Sequence, residues 1–379
     1  MDKYSLFLGF LEGTQANERN DVVAKAHQAI TSGNSTYIWP AGQMGRLFYE
    51  RFKEAGYNNM YLVDSNPQTK NAISPNDITD AQNSVLIIAT LKHANIITAA
   101  AAEIGLSDSV MYYESVALLP EHLQDFPDDF YISTFIMLKE HLLGNKERYI
   151  AMYNALDDEL SKERFIDNML FRLTGDMEYT FPWDESLPQY FNSLVPKFDE
   201  ESVIIDAGGY TGDTLEVFLQ NNSRFKAYYL FEPDSELLAK AKTVSADKRI
   251  TYICKGLSDT VGEASFMTDG GMGGSITENG NVTISLSTID AEVKDKVTFI
   301  KMDIEGAELS ALKGSRKTII DDKPILAISL YHKASDYLDI FEFILSCNPH
   351  YKFYIRHHLD YYAETVLYAI NGGNASERI

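Results

Sequence analysis

The stretch Val203–Thr214, VIIDAGGYTGDT, decides how the second half of the chain is read. An apolar run ends in Asp206, passes through Gly208, Gly209 and Gly212, and continues as a predicted helix. Strand, glycine turn and helix in this order are how nucleotide-binding folds hold a ligand. The spacing is D-x-G-x-x-x-G, not G-x-G-x-x-G, and two acids, Asp206 and Asp213, flank the turn. Carboxylates at a helix N-terminus repel a pyrophosphate, which the backbone amides there otherwise attract.

Downstream, strand candidates recur in order: SVIIDA, KAYYLFE, RITYIC, VTFIKMD, PILAISLY, KFYIRHH and TVLYAI. Helical stretches separate the first five, which predicts parallel pairing with crossover helices. The last two are close together and predict an antiparallel hairpin. A parallel sheet finished this way is the arrangement of class I methyltransferases, and in open sheets the ligand sits beyond the carboxyl ends of the strands. S-adenosylmethionine suits the acids: it carries a sulfonium and an ammonium and no phosphate. The glycines are expected to let the backbone approach the ligand. Thr211 and Thr214 offer hydroxyls to the ligand carboxylate or, equally, cap the helix. Glu232, in YLFEPD with Pro233, stands where a carboxylate accepts both ribose hydroxyls. Gly256 and Leu257, in CKGLSD, are expected along the adenine edge.

VIIDAGGYTGDT, FEPD, KGLSD, FIKMDIEGAELSALKG and ISLYHK together resemble the FkbM-type family of S-adenosylmethionine-dependent methyltransferases over roughly residues 188–370. The resemblance implies a class I fold and methyl transfer to a hydroxyl of a sugar, glycan precursor or secondary metabolite. Tyr210 departs from the broader methyltransferase pattern, where many enzymes have glycine, and is expected to close over the methionine moiety. Asp303 is expected at the methyl position, orienting the acceptor or holding the cofactor ammonium. His332 is the candidate base, since histidine titrates near neutral pH. Glu305 and Glu308 accompany them, and these acids with His332 also form a possible divalent-metal set. Tyr190, Arg356, His357 and Tyr362 are candidate acceptor contacts. MTDGGMGGSITENGN (267–281) reads as a lid or an ordinary flexible hairpin loop.

The N-terminal third alternates strand and helix as well: TYIWP, a helix over AGQMGRLFYERFKEAGY, MYLVD and SVLIIAT. PAGQMG is a broken G-x-G-x-x-G in which Pro40 replaces the first glycine, with Asp64 at the end of the second strand. It reads either as a nucleotide or nucleotide-sugar site or as a Rossmann-like domain whose glycines serve turn geometry and helix packing. The expected organisation is a Rossmann-like domain at 1–127, a helical region at 128–187 and the methyltransferase domain at 188–379. The segment with prolines at 182, 188 and 196 reads as a lead-in to the second sheet whose aromatics mostly cover a sheet edge.

The chain has 379 residues, 45% hydrophobic and 12% aromatic, which is globular composition. Its net charge of −22 disfavours nucleic acid and anionic membranes as partners. Two cysteines suggest a reducing compartment, and Cys254 in ITYIC reads as a small buried hydrophobe. No apolar run reaches the length of a membrane span, and MDKYSLFLGFLEG reads as a first helix. A cytoplasmic enzyme acting on a small-molecule or glycan acceptor, with a homodimer possible, is the expectation.

Overall fold

A computed structural model describes residues 2–66, 68–91, 93–106, 109–124, 130–179, 188–268, 274–359 and 363–372, with backbone alone at 130–136 and 177. Phe181, Trp183 and Tyr362 and residues 269–273 of the glycine-rich segment lie outside them. The chain divides into two compact units, 1–140 with 166–180, and 141–165 with 181–379.

The first unit holds β1 (Thr36–Trp39), β2 (Met60–Val63), β3 (Ala72–Ile73), β4 (Val85–Ile88) and β5 (Ser109–Met111) in a parallel sheet of order β3-β2-β1-β4-β5. Its three longer strands are those that the apolar runs predict. The helix Gln43–Glu54 buries Phe48 and Phe52. A Cβ on Gly45 would stand 2.1 Å from the Pro40 carbonyl oxygen, so this glycine lets helix and strand pack closely. Asp64 accepts a hydrogen bond from the Asn66 amide at 2.9 Å, a local turn. Both observations agree with glycines and acid that serve turn and packing. The N-terminal helix Lys3–Glu12 is capped by Asp2, whose carboxylate accepts from the Ser5 amide, and ends at Gly13 in the left-handed region.

Residues 128–187 do not stand as a region of their own. The helix Lys146–Ala155 and the first turns of Glu159–Thr174 belong to the second unit, and 166–180 belong to the first. Within the second unit Leu156 forms a parallel bridge with Phe353. Arg148 pairs with Glu342 at 2.8 Å, and Phe165 packs edge-on against Tyr337.

The second unit contains β6 (Val203–Ala207), β7 (Ala227–Phe231), β8 (Ile250–Ile253), β9 (Gly256–Leu257), β10 (Gly262–Met267), β11 (Ser275–Ile276), β12 (Val282–Ser287), β13 (Phe299–Met302), β14 (Ile325–Ser329), β15 (Tyr351–His357) and β16 (Thr365–Asn371). Seven of them form one sheet of order β15-β16-β14-β13-β6-β7-β8. Only β16 runs against its neighbours, pairing antiparallel with both β14 and β15. This is the class I methyltransferase arrangement that the strand pattern predicts. β6 and β14 are buried at every position, as strands covered on both faces must be. Phe191 and Phe198 pack against Phe218 and Phe299 and cover the sheet.

A second sheet, β11-β10-β12-β9, is added to the expected architecture, and its antiparallel strands β10 and β12 flank the glycine-rich span 267–281 in agreement with the hairpin reading. One expectation is corrected. Cys254 is exposed, not buried, because the chain leaves the main sheet there and runs on to β9. Among the described residues no helix is long and apolar enough to cross a membrane.

Candidate active site

The carboxyl ends of β6, β7 and β13 open onto a crevice closed on one side by the small sheet. Gly208 and Tyr210 come from the first turn, Glu232, Pro233 and Asp234 from the second strand end, and Asp303 and Glu305 from the fourth. Gly256 and Leu257 line it with Phe266, Thr268, Gly274, Ile276 and Ile284. Four of the lining side chains are acids. Among the described lining residues Lys255 is the one cation, and it is paired with Glu292 at 2.6 Å.

Asp206 is not part of this wall. It is 1% exposed, accepts a hydrogen bond from the Tyr228 hydroxyl at 2.8 Å, and pairs with Lys301 at 3.0 Å. The cause is register: Asp206 stands beside Lys301 across the β6–β13 ladder. Lys301 also donates to the Gly208 carbonyl at 2.6 Å, so the pair ties the turn to the sheet. Burial pushes the Asp206 carboxyl up and is opposed by Lys301.

The positions that side chains would take at the glycines of the turn are filled by protein. Gly208 has φ +80°, and a Cβ there would meet the Asp303 carbonyl oxygen at 1.9 Å. A Cβ on Gly209 would strike Leu230 at 2.2 Å, and one on Gly212 would meet Val244 at 2.9 Å. Their smallness lets the turn pack against neighbouring chain, while Gly208 also lines the crevice. Thr211, Gly212, Asp213 and Thr214 are not among the crevice residues. Gly212 is the N-cap of the helix Asp213–Asn221 and receives no side-chain cap, so neither threonine caps it. The Asp213 carboxylate accepts from the Thr214 amide at 2.8 Å.

Tyr210 holds φ +44°, a left-handed conformation costly for an aromatic residue, and its amide donates to Glu232 Oε2 at 3.0 Å. Glu232 Oε1 accepts from the Asp234 amide at 2.9 Å. Burial pushes the Glu232 carboxyl up to about 7, against the pull of those two amides. Asp234 caps the helix Ser235–Ala241 and takes a hydrogen bond from Thr268 of the small sheet at 2.9 Å.

At the end of β13 both Asp303 oxygens are held: Tyr331 donates to Oδ1 at 3.0 Å and Tyr190 to Oδ2 at 2.9 Å. Tyr331 also donates to Glu364 at 3.2 Å, and Glu364 is bonded to Gln189. Burial alone would raise the Asp303 carboxyl, but His332 and Lys301 outweigh it and hold it below its ordinary value. Tyr190 is 5% exposed and braces Asp303 from behind, so it does not face an acceptor. Burial pushes its hydroxyl well above the usual phenol range. The Glu305 backbone has φ +53°, and burial pushes its carboxyl up to about 7.

His332 is brought to Asp303 as expected, yet it is surrounded by acids. Nδ1 lies 2.9 Å from Glu308, and Nε2 lies 3.4 Å from Asp303 and 3.5 Å from Glu305. Burial disfavours its charge, but Glu308, Asp303 and Glu305 prevail and push the imidazole up to about 10. An imidazole held so high is already protonated at neutral pH, which argues against a base. Arg356 and His357 are placed away from the crevice. Arg356 pairs with Asp158 at 2.6 Å and donates to Ser161 at 2.9 Å, and His357 contacts Thr365 at 2.9 Å. Sequence reasoning missed Asp234, Tyr331 and Glu364 as site residues. Asp234 and Tyr331 sit inside the quoted blocks FEPD and ISLYHK, so position at a strand end was the available signal. Glu364 carries no pattern.

Residues 206–351 match the family model described as the methyltransferase FkbM domain. The chain is similar in structure to methyltransferase FkbM from Methylobacillus flagellatus KT, with TM-score 0.74 and 21% identity, over 97% of this chain and 99% of that one. A putative rRNA methylase from Clostridium thermocellum gives TM-score 0.32 and 12% identity over 46% of this chain and 88% of that one. An rRNA methylase from Streptococcus thermophilus gives 0.31 and 17% over 45% and 87%. No curated protein sequence matches the chain.

Proposed function

We propose that the protein transfers a methyl group from S-adenosylmethionine to a hydroxyl of a sugar, glycan precursor or other small metabolite, a reading supported by the match of residues 206–351 to the model of the methyltransferase FkbM domain. The observation that carries the reading is the crevice wall. Glu232, Asp234, Asp303 and Glu305 face one cavity, and Lys255, the one lining cation among the described residues, is already paired. Such a wall favours a cationic, unphosphorylated nucleoside over a dinucleotide.

The residues present fit that cofactor. Each Glu232 oxygen holds one backbone amide and keeps acceptor capacity for a ribose hydroxyl. Phe266, Ile284 and Leu257 supply an apolar wall suited to a purine ring. When bound, the cofactor supplies an already activated methyl on sulfur, so the chain's own task is to align the acceptor and exclude water. Asp303, fixed by two tyrosine hydroxyls, is the group placed to orient an acceptor hydroxyl, and His332 positions Asp303 and Glu305. The net charge of −22 favours a small or glycan acceptor over a polyphosphate one.

Titration calorimetry with S-adenosylhomocysteine tests the cofactor, and mass spectrometry of a sugar panel tests the transfer. Saturable binding that weakens about tenfold or more in Glu232→Ala is expected. Equal affinity in that variant, or tighter binding of a pyrophosphate dinucleotide, sinks the reading.

A further inference from the structure

His332 presents its two nitrogens to different surroundings. Nδ1 faces Glu308, which is fully buried, at 2.9 Å. Nε2 faces Asp303 Oδ1 at 3.4 Å and Glu305 Oε2 at 3.5 Å, and both of those residues line the crevice. Ligand atoms of Asp303, Glu308 and His332 lie within 4.8 Å of one another, a group that does not include Glu305. Donor atoms about 2.1 Å from a shared ion stand roughly 3.0 to 3.5 Å apart at octahedral or tetrahedral angles. The two Nε2 distances fall at the upper end of that range. A histidine whose far nitrogen is fixed by a carboxylate is also the usual setting of a metal-binding imidazole.

Charge supplies an independent argument. Asp303, Glu305, Glu308 and Asp336 all act on His332 or on one another, and Glu364 acts on Asp303. The cations set against them are His332, Lys301, which is committed to Asp206, and Lys333, which acts on Asp336. Glu308 Oε2 has no hydrogen-bond partner among the described residues although the residue is fully buried. A buried carboxylate oxygen left so is costly, which adds to the cluster's shortage of positive charge.

We propose that this cluster is a site for a hard divalent cation, Mg²⁺ or Mn²⁺, held by Asp303, Glu305 and His332 Nε2 at the crevice wall, with Glu308 fixing the imidazole from behind. Two carboxylates and one imidazole suit such ions better than soft ones. An ion taken by Nε2 displaces the proton that nitrogen otherwise carries, which leaves to solvent. Asp303 and Glu305 line the crevice, so an ion that they hold would be within reach of water and of acceptor hydroxyls there. Binding of the ion itself does not depend on which methyl donor the crevice takes, while its use on an acceptor rests on the function proposed above.

Mn²⁺ is the probe. Chelator-stripped full-length protein is titrated with it while electron paramagnetic resonance reads the free ion. One site per chain is expected, with a dissociation constant on the order of 100 µM or tighter. Pulsed spectra of the bound ion are expected to show ¹⁴N coupling from one imidazole. Glu305→Gln, on the partly exposed wall, is expected to weaken binding by about tenfold or more. His332→Gln should abolish the coupling, and circular dichroism checks that each variant is folded. No saturable binding, bound Mn²⁺ without nitrogen coupling, or unchanged affinity in folded Glu305→Gln overturns the proposal. S-adenosylhomocysteine calorimetry on the same metal-stripped sample keeps this outcome separate from failure of the methyltransferase reading.

Discussion

Asp206 and Glu232 end neighbouring strands, yet their carboxylates do different work. Glu232 lines the crevice, so its ionisation state belongs to ligand binding. Burial pushes it up to about 7. The ionised form is the better acceptor for two ribose hydroxyls, so affinity should rise as pH passes upward through that value. Between pH 6 and pH 8 the ionised fraction grows by about tenfold, and the affinity for S-adenosylhomocysteine should grow with it. Glu232→Gln should flatten the profile, and calorimetry at three pH values reads the difference. Asp206 belongs to stability instead. It is 1% exposed and pairs with Lys301 inside the sheet. Asp206→Asn leaves a buried ammonium without its counter-charge, which typically costs about 3–5 kcal/mol. Replacing both partners, Asp206→Asn with Lys301→Met, should recover most of that loss in denaturant unfolding. A double variant no better than the single one would show that the pair is not what stabilises the turn.

The glycine turn shows the same division at the level of elements. A Cβ on Gly208 would stand 1.9 Å from the Asp303 carbonyl oxygen, and that atom is backbone and cannot rotate away. Gly208→Ala therefore has to push apart the ends of β6 and β13, with a loss of about 3 kcal/mol or more expected in chemical unfolding. Gly262→Ala, whose Cβ would meet nothing within 4 Å, is the control and should stay within about 0.5 kcal/mol. The seven-stranded sheet was legible because its strands are apolar runs, of which β6, β13 and β14 are buried at every position, with acids at the ends of three strands. The small sheet was not. β9 and β11 have two residues each, and β10 and β12 are exposed over half of their length, so no periodic apolar signal marks them. Among site residues, Tyr210, Glu232, Gly256, Asp303 and Glu305 were legible from their places at strand ends. Asp206 misled because its partners arrive through strand register: Lys301 lies about a hundred residues away in sequence and beside it in the ladder. Arg356 misled for a similar reason, since Asp158 comes from a helical stretch whose membership in the second unit no local pattern announces.

At the scale of the molecule, charge is the property that sequence and structure report in the same terms. The chain carries −22, and the crevice concentrates four acids against one paired lysine. S-adenosylmethionine bears one more positive charge than S-adenosylhomocysteine, and the two differ little otherwise. If the field of the wall selects the ligand, the preference for the charged one must depend on screening. The Debye length is about 10 Å at 0.1 M salt and about 3 Å at 1 M, so the general field of the protein fades over that range while contacts inside the crevice persist. The affinity ratio of S-adenosylmethionine to S-adenosylhomocysteine should therefore fall about threefold between low and high salt, on the order expected for partly screened charges. The affinity for S-adenosylhomocysteine alone should change much less. Competitive calorimetry at a series of sodium chloride concentrations measures both. A ratio independent of salt would mean that shape and hydrogen bonding choose the ligand, and the acids of the wall would then be serving the acceptor or an ion instead.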